Sequence, residues 1–322
     1  GTDWNQRYLQ PGLRRRRYRE RRRGSRILAL RRNPAKRSDE RKAADGDHPC
    51  TGAHVYNGRK KHKPEILRER DILFKINLNC DLGEGAGADE IIIPHINSAN
   101  IACGFHAGSA QMMAETLELC KTYGVGAGAH PGYPDRENFG RTKMDLSPQE
   151  VYNITLYQLG AIGSIANAKG VKLDHVKAHG ALYNTAAKNR AVADAIVKAV
   201  YDYDKDLILL ALSGSEMIKA AKTAGIRYAS EVFADRAYEA DGTLRQRGLN
   251  GAMIEDENEA VERVIRMAKC DMVTAYTGED IEIETHSVCV HGDGPKAIEF
   301  VKKLNEAFKR NNIETVSIAE AI

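Results

Sequence analysis

Leu73-Phe74-Lys75-Ile76-Asn77-Leu78-Asn79-Cys80-Asp81-Leu82-Gly83-Glu84-Gly85 is the stretch that decides the fold. Its first seven residues read as a short buried strand, and the strand runs into a polar glycine turn. The pattern recurs at residues 100–108 with His106, 128–132 with His130, 177–184 with His179, and 289–293 with His291. A β/α barrel gathers its strand ends around one mouth. Five polar strand ends therefore predict one shared site.

Working outward, short apolar strands alternate with longer amphipathic segments. Strands are predicted at 73–79, 98–103, 124–129, 174–178, 207–212, 228–233 and 287–290. Helices are predicted at 111–123, 148–169, 190–202, 214–224, 257–269 and 296–310. Ser147, Pro148 and Glu150 form a capping-box start for the second helix. Repeated βα alternation implies parallel strands, which need crossovers. An open sheet concentrates its site at one switch point, whereas here the polar ends are spread along the chain. The expected fold class is therefore α/β, a seven-unit (β/α) barrel over residues 73–322. A long polar loop is expected at 234–250, around Asp241-Gly242.

Residues 1–72 are a different object. They hold 22 Lys/Arg against 9 Asp/Glu, while residues 73–322 hold 26 against 35. The runs Arg14–Arg17 and Arg21–Arg23 come with few apolar residues and no sustained period, so a basic disordered extension is expected. Three readings of it stand side by side: a nucleic-acid-binding tail, a targeting peptide, or a translated upstream region without function. Asp39, Glu40, Asp45 and Asp47 argue against an acidic-poor transit peptide, and a secretory apolar stretch is lacking. Six cysteines without a CxxC pair suggest reduced thiols and a cytoplasmic location. No run approaches the ~18 apolar residues of a membrane span.

Together the blocks 77–85, 98–108, 128–140 with Gly126 and Arg141, 175–184, 231–238 with Arg247, and 289–293 resemble the LamB/YcsF family. The resemblance runs from about Lys75 to the C-terminus. It implies a barrel of the glycoside hydrolase/deacetylase type. It also implies an ATP-dependent 5-oxoprolinase activity, in which 5-oxo-L-proline is opened to L-glutamate. In that enzyme this chain would be the A subunit, working beside the B and C subunits. One departure stands out. The family usually has Asp-Pro after His-Ala-Gly, where this chain has Ser109-Ala110. A serine there can still cap the following helix.

Opening an unstrained lactam requires a water, a base and donors for developing negative charge. ATP would activate the carbonyl as a co-substrate. Asp81 and Glu84 are candidates for base or metal ligand. His106, His130 and His179 complete the catalytic candidates as proton carriers. Lys177, Arg141 and Arg236 are candidates for a carboxylate or phosphoryl group. Asn79, Tyr183, Asn184, Asp235, His291 and Asp293 complete the expected substrate contacts. Each has a structural alternative. Asp81 and Glu84 can cap the next element, Asp235-Arg236 can be a loop ion pair, and His291 with Asp293 can cap the last helix. His95, His175 and His286 are assigned to surface or packing. A divalent metal is an open possibility, with Asp81, His106 and His130 as first-guess ligands. The chain has no G-x-x-x-x-G-K-[ST] run, so ATP is expected to bind mainly with the partner subunits. Two other functions stay open: a stand-alone metal-dependent amide or acetyl hydrolase, and a non-catalytic docking subunit.

Overall fold

Inward-facing polar residues set the barrel's character, and the strands that carry them come first. The computed structural model describes residues 73–290 and 297–322. The strands are β1 (Phe74–Leu82), β2 (Ser98–Ala102), β3 (Gly126–His130), β4 (Leu173–Val176), β5 (Ile208–Leu212), β6 (Tyr228–Phe233) and β9 (Ser287–Val290). They pair in the order β1-β2-β3-β4-β5-β6-β9, and β9 returns to β1. Every one of these pairings is parallel. The closed seven-stranded barrel matches the sequence expectation strand for strand.

The helices form the outer layer: α1 (Asp89–Ile92), α2 (Ala110–Tyr123), α3 (Pro148–Lys169), α4 (Gly180–Lys188), α5 (Arg190–Asp204), α6 (Glu216–Ala224), α7 (Glu257–Cys270) and α8 (Ala297–Arg310). The start of α3 is the expected capping box: Glu150 N donates to Ser147 Oγ, and Ser147 N donates to Glu150 Oε2 at 2.8 Å. Ser109 caps α2 by accepting from Met112 N at 3.2 Å, so it fills the capping role at the position of the family's aspartate. Five of these elements had no sequence forecast. They are α1, α4, the antiparallel pair β7 (Met272–Thr274) and β8 (Asp280–Glu282), and β10 (Ile313–Thr315), which adds to β1 outside the closed ring. The polar loop after β6 carries only isolated bridges, Arg236 with Met253 and Tyr238 with Leu244.

The main apolar core lies between strands and helices and includes Leu78, Ile101, Leu117, Leu159, Leu182, Val264 and Val301. Inside the barrel the filling is largely polar. Asn79 Nδ2 donates to Ser287 Oγ at 2.8 Å, Ser287 Oγ donates to Asn77 Oδ1 at 2.8 Å, and Asn77 Nδ2 donates to Val316 O at 3.0 Å. The end of the barrel away from the mouth is closed by the C-terminal segment, where Ile318 packs with Ile208, Leu210 and Ala229.

Gly128 faces His175 across the β3–β4 register. A Cβ at Gly128 would collide with the His175 ring, whose Nε2 lies 2.7 Å from Asn100 Oδ1. Gly128→Ala is therefore expected to destabilise the protein by about 1–3 kcal/mol through overpacking. Urea denaturation checks this, and an unchanged midpoint would show that the ring has room to move.

Cys80, Cys103, Cys120 and Cys289 are buried free thiols. Cys270 differs from these four in burial. It ends α7 and is only half-buried, so it is accessible where the other four are not. The disorder expected for residues 1–72 lies outside the described residues.

Candidate active site

The end of β1 delivers Asp81, and the turn after it delivers Glu84. Gly83 allows it, with φ at +68°, a conformation that favours glycine. The loop after β2 delivers His106, β3 ends on His130, and Lys177 and His179 follow β4. Two glycines let the neighbouring loops close on the imidazoles. A Cβ at Gly132 would lie 2.6 Å from His106 Nδ1, and one at Gly140 would lie 2.7 Å from His106 Cβ. The His106 and His179 rings stack with centroids 3.8 Å apart.

One donor atom each from Glu84, His106, His130 and His179 converge within 4.8 Å of one another. His106 Nε2 is 3.1 Å from Glu84 Oε1, and His179 Nδ1 is 3.4 Å from the same oxygen. The backbone fixes two of the rings. His130 Nδ1 lies 2.8 Å from the Lys177 carbonyl, and His179 Nε2 lies 2.9 Å from the Phe139 carbonyl. A carbonyl only accepts, so both of these nitrogens carry the proton. Their other nitrogens, His130 Nε2 and His179 Nδ1, then face each other at 2.9 Å. Two lone pairs at that distance repel unless a proton or a metal ion lies between them.

Burial, and then the charge of His130, lower the His179 pKa to about 2, and the same causes bring His106 to about 2. Both rings are therefore neutral near pH 7, which suits them as ligands rather than proton carriers. His130 moves the other way. Burial lowers its pKa, but the charge and hydrogen bond of Asp81 outweigh that and raise it.

Beneath this cluster lies a charged hub. Lys177 Nζ is 2.9 Å from Asp81 Oδ1, 2.8 Å from Glu231 Oε1, 3.1 Å from Cys289 Sγ and 3.3 Å from Asn79 Oδ1. Asn100 Nδ2 donates to Asp81 Oδ1 at 2.7 Å, and the Tyr183 hydroxyl donates to Glu231 Oε2 at 2.7 Å. Burial lowers the Lys177 pKa, but Asp81, Cys289 and Glu231 outweigh it and hold the value well above normal. Three carboxylates, Asp81, Glu84 and Glu231, thus share this floor with one ammonium. The floor carries a local excess of negative charge when the imidazoles are neutral.

Above the hub opens a cavity of about 640 Å³. Asp81, Glu84, His130, Lys177 and His179 line it, with Arg141, Tyr183, Asn184 and Arg236 from the sequence candidates and Lys143, Lys188 and Arg247 besides. Asn79 lies deeper, as a link in the hydrogen-bonded column. The suggested Asp235–Arg236 ion pair does not form, since no carboxylate among the described residues is within salt-bridge distance of Arg236. The Asp235 carbonyl accepts from Ile254 N at 2.9 Å. His291 and Asp293 lie outside the described residues.

The converging donor set differs from the first-guess ligands: Glu84 and His179 belong to it, and Asp81 does not. Asp81 Oδ1 is committed to Lys177 and Asn100. Sequence reasoning missed Glu231, Asn100 and His175. The signal was present in the alternation of Asn77, Asn79 and Asp81, and of Ser98 and Asn100. Polar residues at every second position of a strand buried on both faces mark a polar barrel interior.

Comparison with known proteins adds relatives to this geometry. Residues 76–322 match the model of the LamB/YcsF family. The chain is 52% identical over 251 residues to the 5-oxoprolinase A subunit of Clostridium beijerinckii, covering 76% of this chain and 98% of that protein. It is 51% identical over 255 residues to the 5-oxoprolinase A subunit of Campylobacter jejuni, covering 78% and 100%. Among solved structures, the lactam utilization protein from Thermus thermophilus superposes with a TM-score of 0.71 at 41% identity, over 76% of this chain and 99% of that one.

Proposed function

This chain belongs to the LamB/YcsF family, and on that premise we propose that it is the A subunit of an ATP-dependent 5-oxoprolinase, opening the lactam of 5-oxo-L-proline to L-glutamate. The observation that carries the reading to this site is the convergence of Glu84, His106, His130 and His179, three of which, Glu84, His130 and His179, line one cavity. ATP is the co-substrate, and the B and C subunits are the partners. The chain has no G-x-x-x-x-G-K-[ST] run, so the nucleotide is assigned mainly to those partners. Water attacks the lactam carbonyl, the C–N bond breaks, and the leaving nitrogen takes a proton. In this scheme Glu84 and His130 handle the water's proton, and Lys177 holds Asp81 in place. Asn184 and Tyr183 shape the wall against which the ring rests. No helix among the described residues is long and apolar enough to cross a membrane.

The same donor set fits a divalent ion of the zinc type, with one carboxylate and three imidazoles. Three carboxylates gathered around one ammonium favour a dication there, as do the facing lone pairs of His130 Nε2 and His179 Nδ1 once His130 has lost its proton. When bound, such an ion would activate a water and polarise a carbonyl. Metal analysis of the purified full-length chain tests this part: about one divalent ion per chain is expected, and none would remove it.

The functional reading is tested by glutamate release from 5-oxo-L-proline. Release is expected only when ATP, this chain and both of its partners are present. Release by this chain alone, without ATP, would replace the reading with a stand-alone amide hydrolase.

A further inference from the structure

Arg236 follows β6 and lines the cavity, yet its side chain is almost fully buried, at 4% exposure. Its Nη2 donates to the Arg245 carbonyl, and its Nε is buried without a partner. Among the described residues no carboxylate lies within ion-pair distance of it. Burial first, and then the like charge of Arg247, lower its pKa, and the charge of Asp235, beyond ion-pair distance, offsets them only in part. A desolvated guanidinium with no carboxylate among the described residues at ion-pair distance is costly, and structures keep one where an anion comes to pair with it.

The other cations expected to bind an anion are differently engaged. The Lys177 ammonium has three protons and four acceptors around it, so it has none to offer a substrate. The Arg141 guanidinium lies over the Phe139 ring, 4.9 Å from its centre. Beside Arg236 the cavity wall carries Phe233 and Leu212. An apolar wall next to a guanidinium without an ion-pair partner suits a small ring bearing one carboxylate.

We propose that Arg236 pairs with the carboxylate of the substrate and thereby selects carboxylated lactams over neutral ones. The proposal rests on the 5-oxoprolinase reading and deepens it. It assigns the bidentate geometry of a guanidinium–carboxylate pair to one residue. The reacting amide is then left to face the Glu84, His130 and His179 side of the same cavity.

The test is isothermal titration of the full-length chain with 5-oxo-L-proline, 2-pyrrolidinone and inorganic phosphate. Arg236→Met is expected to weaken 5-oxo-L-proline about 100-fold, the scale of a lost charge-assisted pair. The affinity for neutral 2-pyrrolidinone should stay unchanged. Arg236→Lys keeps the charge without the fork and should fall between the two. Its thermal midpoint, together with retained 2-pyrrolidinone binding, shows that the fold is intact. Equal affinity of wild type and Arg236→Met for 5-oxo-L-proline overturns the proposal. So does a variant that loses only phosphate binding, since the guanidinium would then serve a phosphoryl group. Failure of the functional reading looks different: carboxylate binding would still depend on Arg236, but the complete mixture would release no glutamate.

Discussion

Lys177→Met should destabilise the folded chain by about 3–5 kcal/mol, the cost of leaving buried charges without their partner. Its ammonium stands 2.9 Å from Asp81 and 2.8 Å from Glu231, and all three groups are nearly inaccessible. Methionine has a similar length, so lost packing contributes little and the electrostatic effect dominates. The double variant Lys177→Met with Glu231→Gln should recover part of the loss, because it removes one stranded carboxylate. Urea denaturation of the four proteins gives the coupling directly. A single-variant loss below about 1 kcal/mol, on the scale of an exposed pair, would mean that the hub is hydrated. The sign with pH follows from the raised Lys177 pKa. Its contribution is complete below the ordinary lysine pKa and is lost only as pH climbs through the higher folded value. Around neutrality this ion pair adds no pH dependence.

The second large effect belongs to His130→Ala. His130 touches every part of the cluster: its Nε2 is 2.9 Å from His179, 3.4 Å from Asp81 and 3.9 Å from Glu84. Losing it should lower kcat about 100- to 10,000-fold, the range of a positioned acid–base group. The chain should remain folded, because the bridges from Lys177 to Asp81 and Glu231 do not pass through the ring. Bound divalent metal should fall to background in the same variant. Full activity of a reconstituted complex carrying His130→Ala would move the chemistry away from this mouth and leave a docking subunit. His130 must also shed its proton to serve as a ligand, and its pKa is raised. Metal affinity is therefore expected to weaken as pH falls through that value, while His106 and His179, at about 2, add nothing to the slope.

The barrel was legible because its signals are local. Each strand is a short apolar run, and each strand end carries glycine with an acid or a histidine. The capping box at Ser147 is written in consecutive residues, and it formed as read. What stayed hidden depends on distant partners. Glu231 looked like an ordinary strand residue until Lys177 and Tyr183, 48 or more positions away, met it. His175 was assigned to packing, and it is packed, against Gly128; it also orients the Asn100 amide that holds Asp81. The ligand guess named Asp81 because it ends the strand, whereas the turn carries Glu84 to the histidines. The β10 strand and the β7–β8 pair are only three residues each, too short for a periodic pattern to show.

The column under the mouth also has a sense of direction. An ammonium can only donate, so Lys177 obliges the Asn79 oxygen to accept from it, and the Asn79 amide then donates to Ser287. Ser287 donates to Asn77, and Asn77 to the Val316 carbonyl. A side-chain amide neither takes up nor releases a proton near neutrality, so Asn79 and Asn77 break the column as a proton relay. The barrel's interior is thus an insulator beneath a reactive surface. Protons released or consumed in the chemistry are not relayed down this column and exchange at the open end, in company with the substrate or its water.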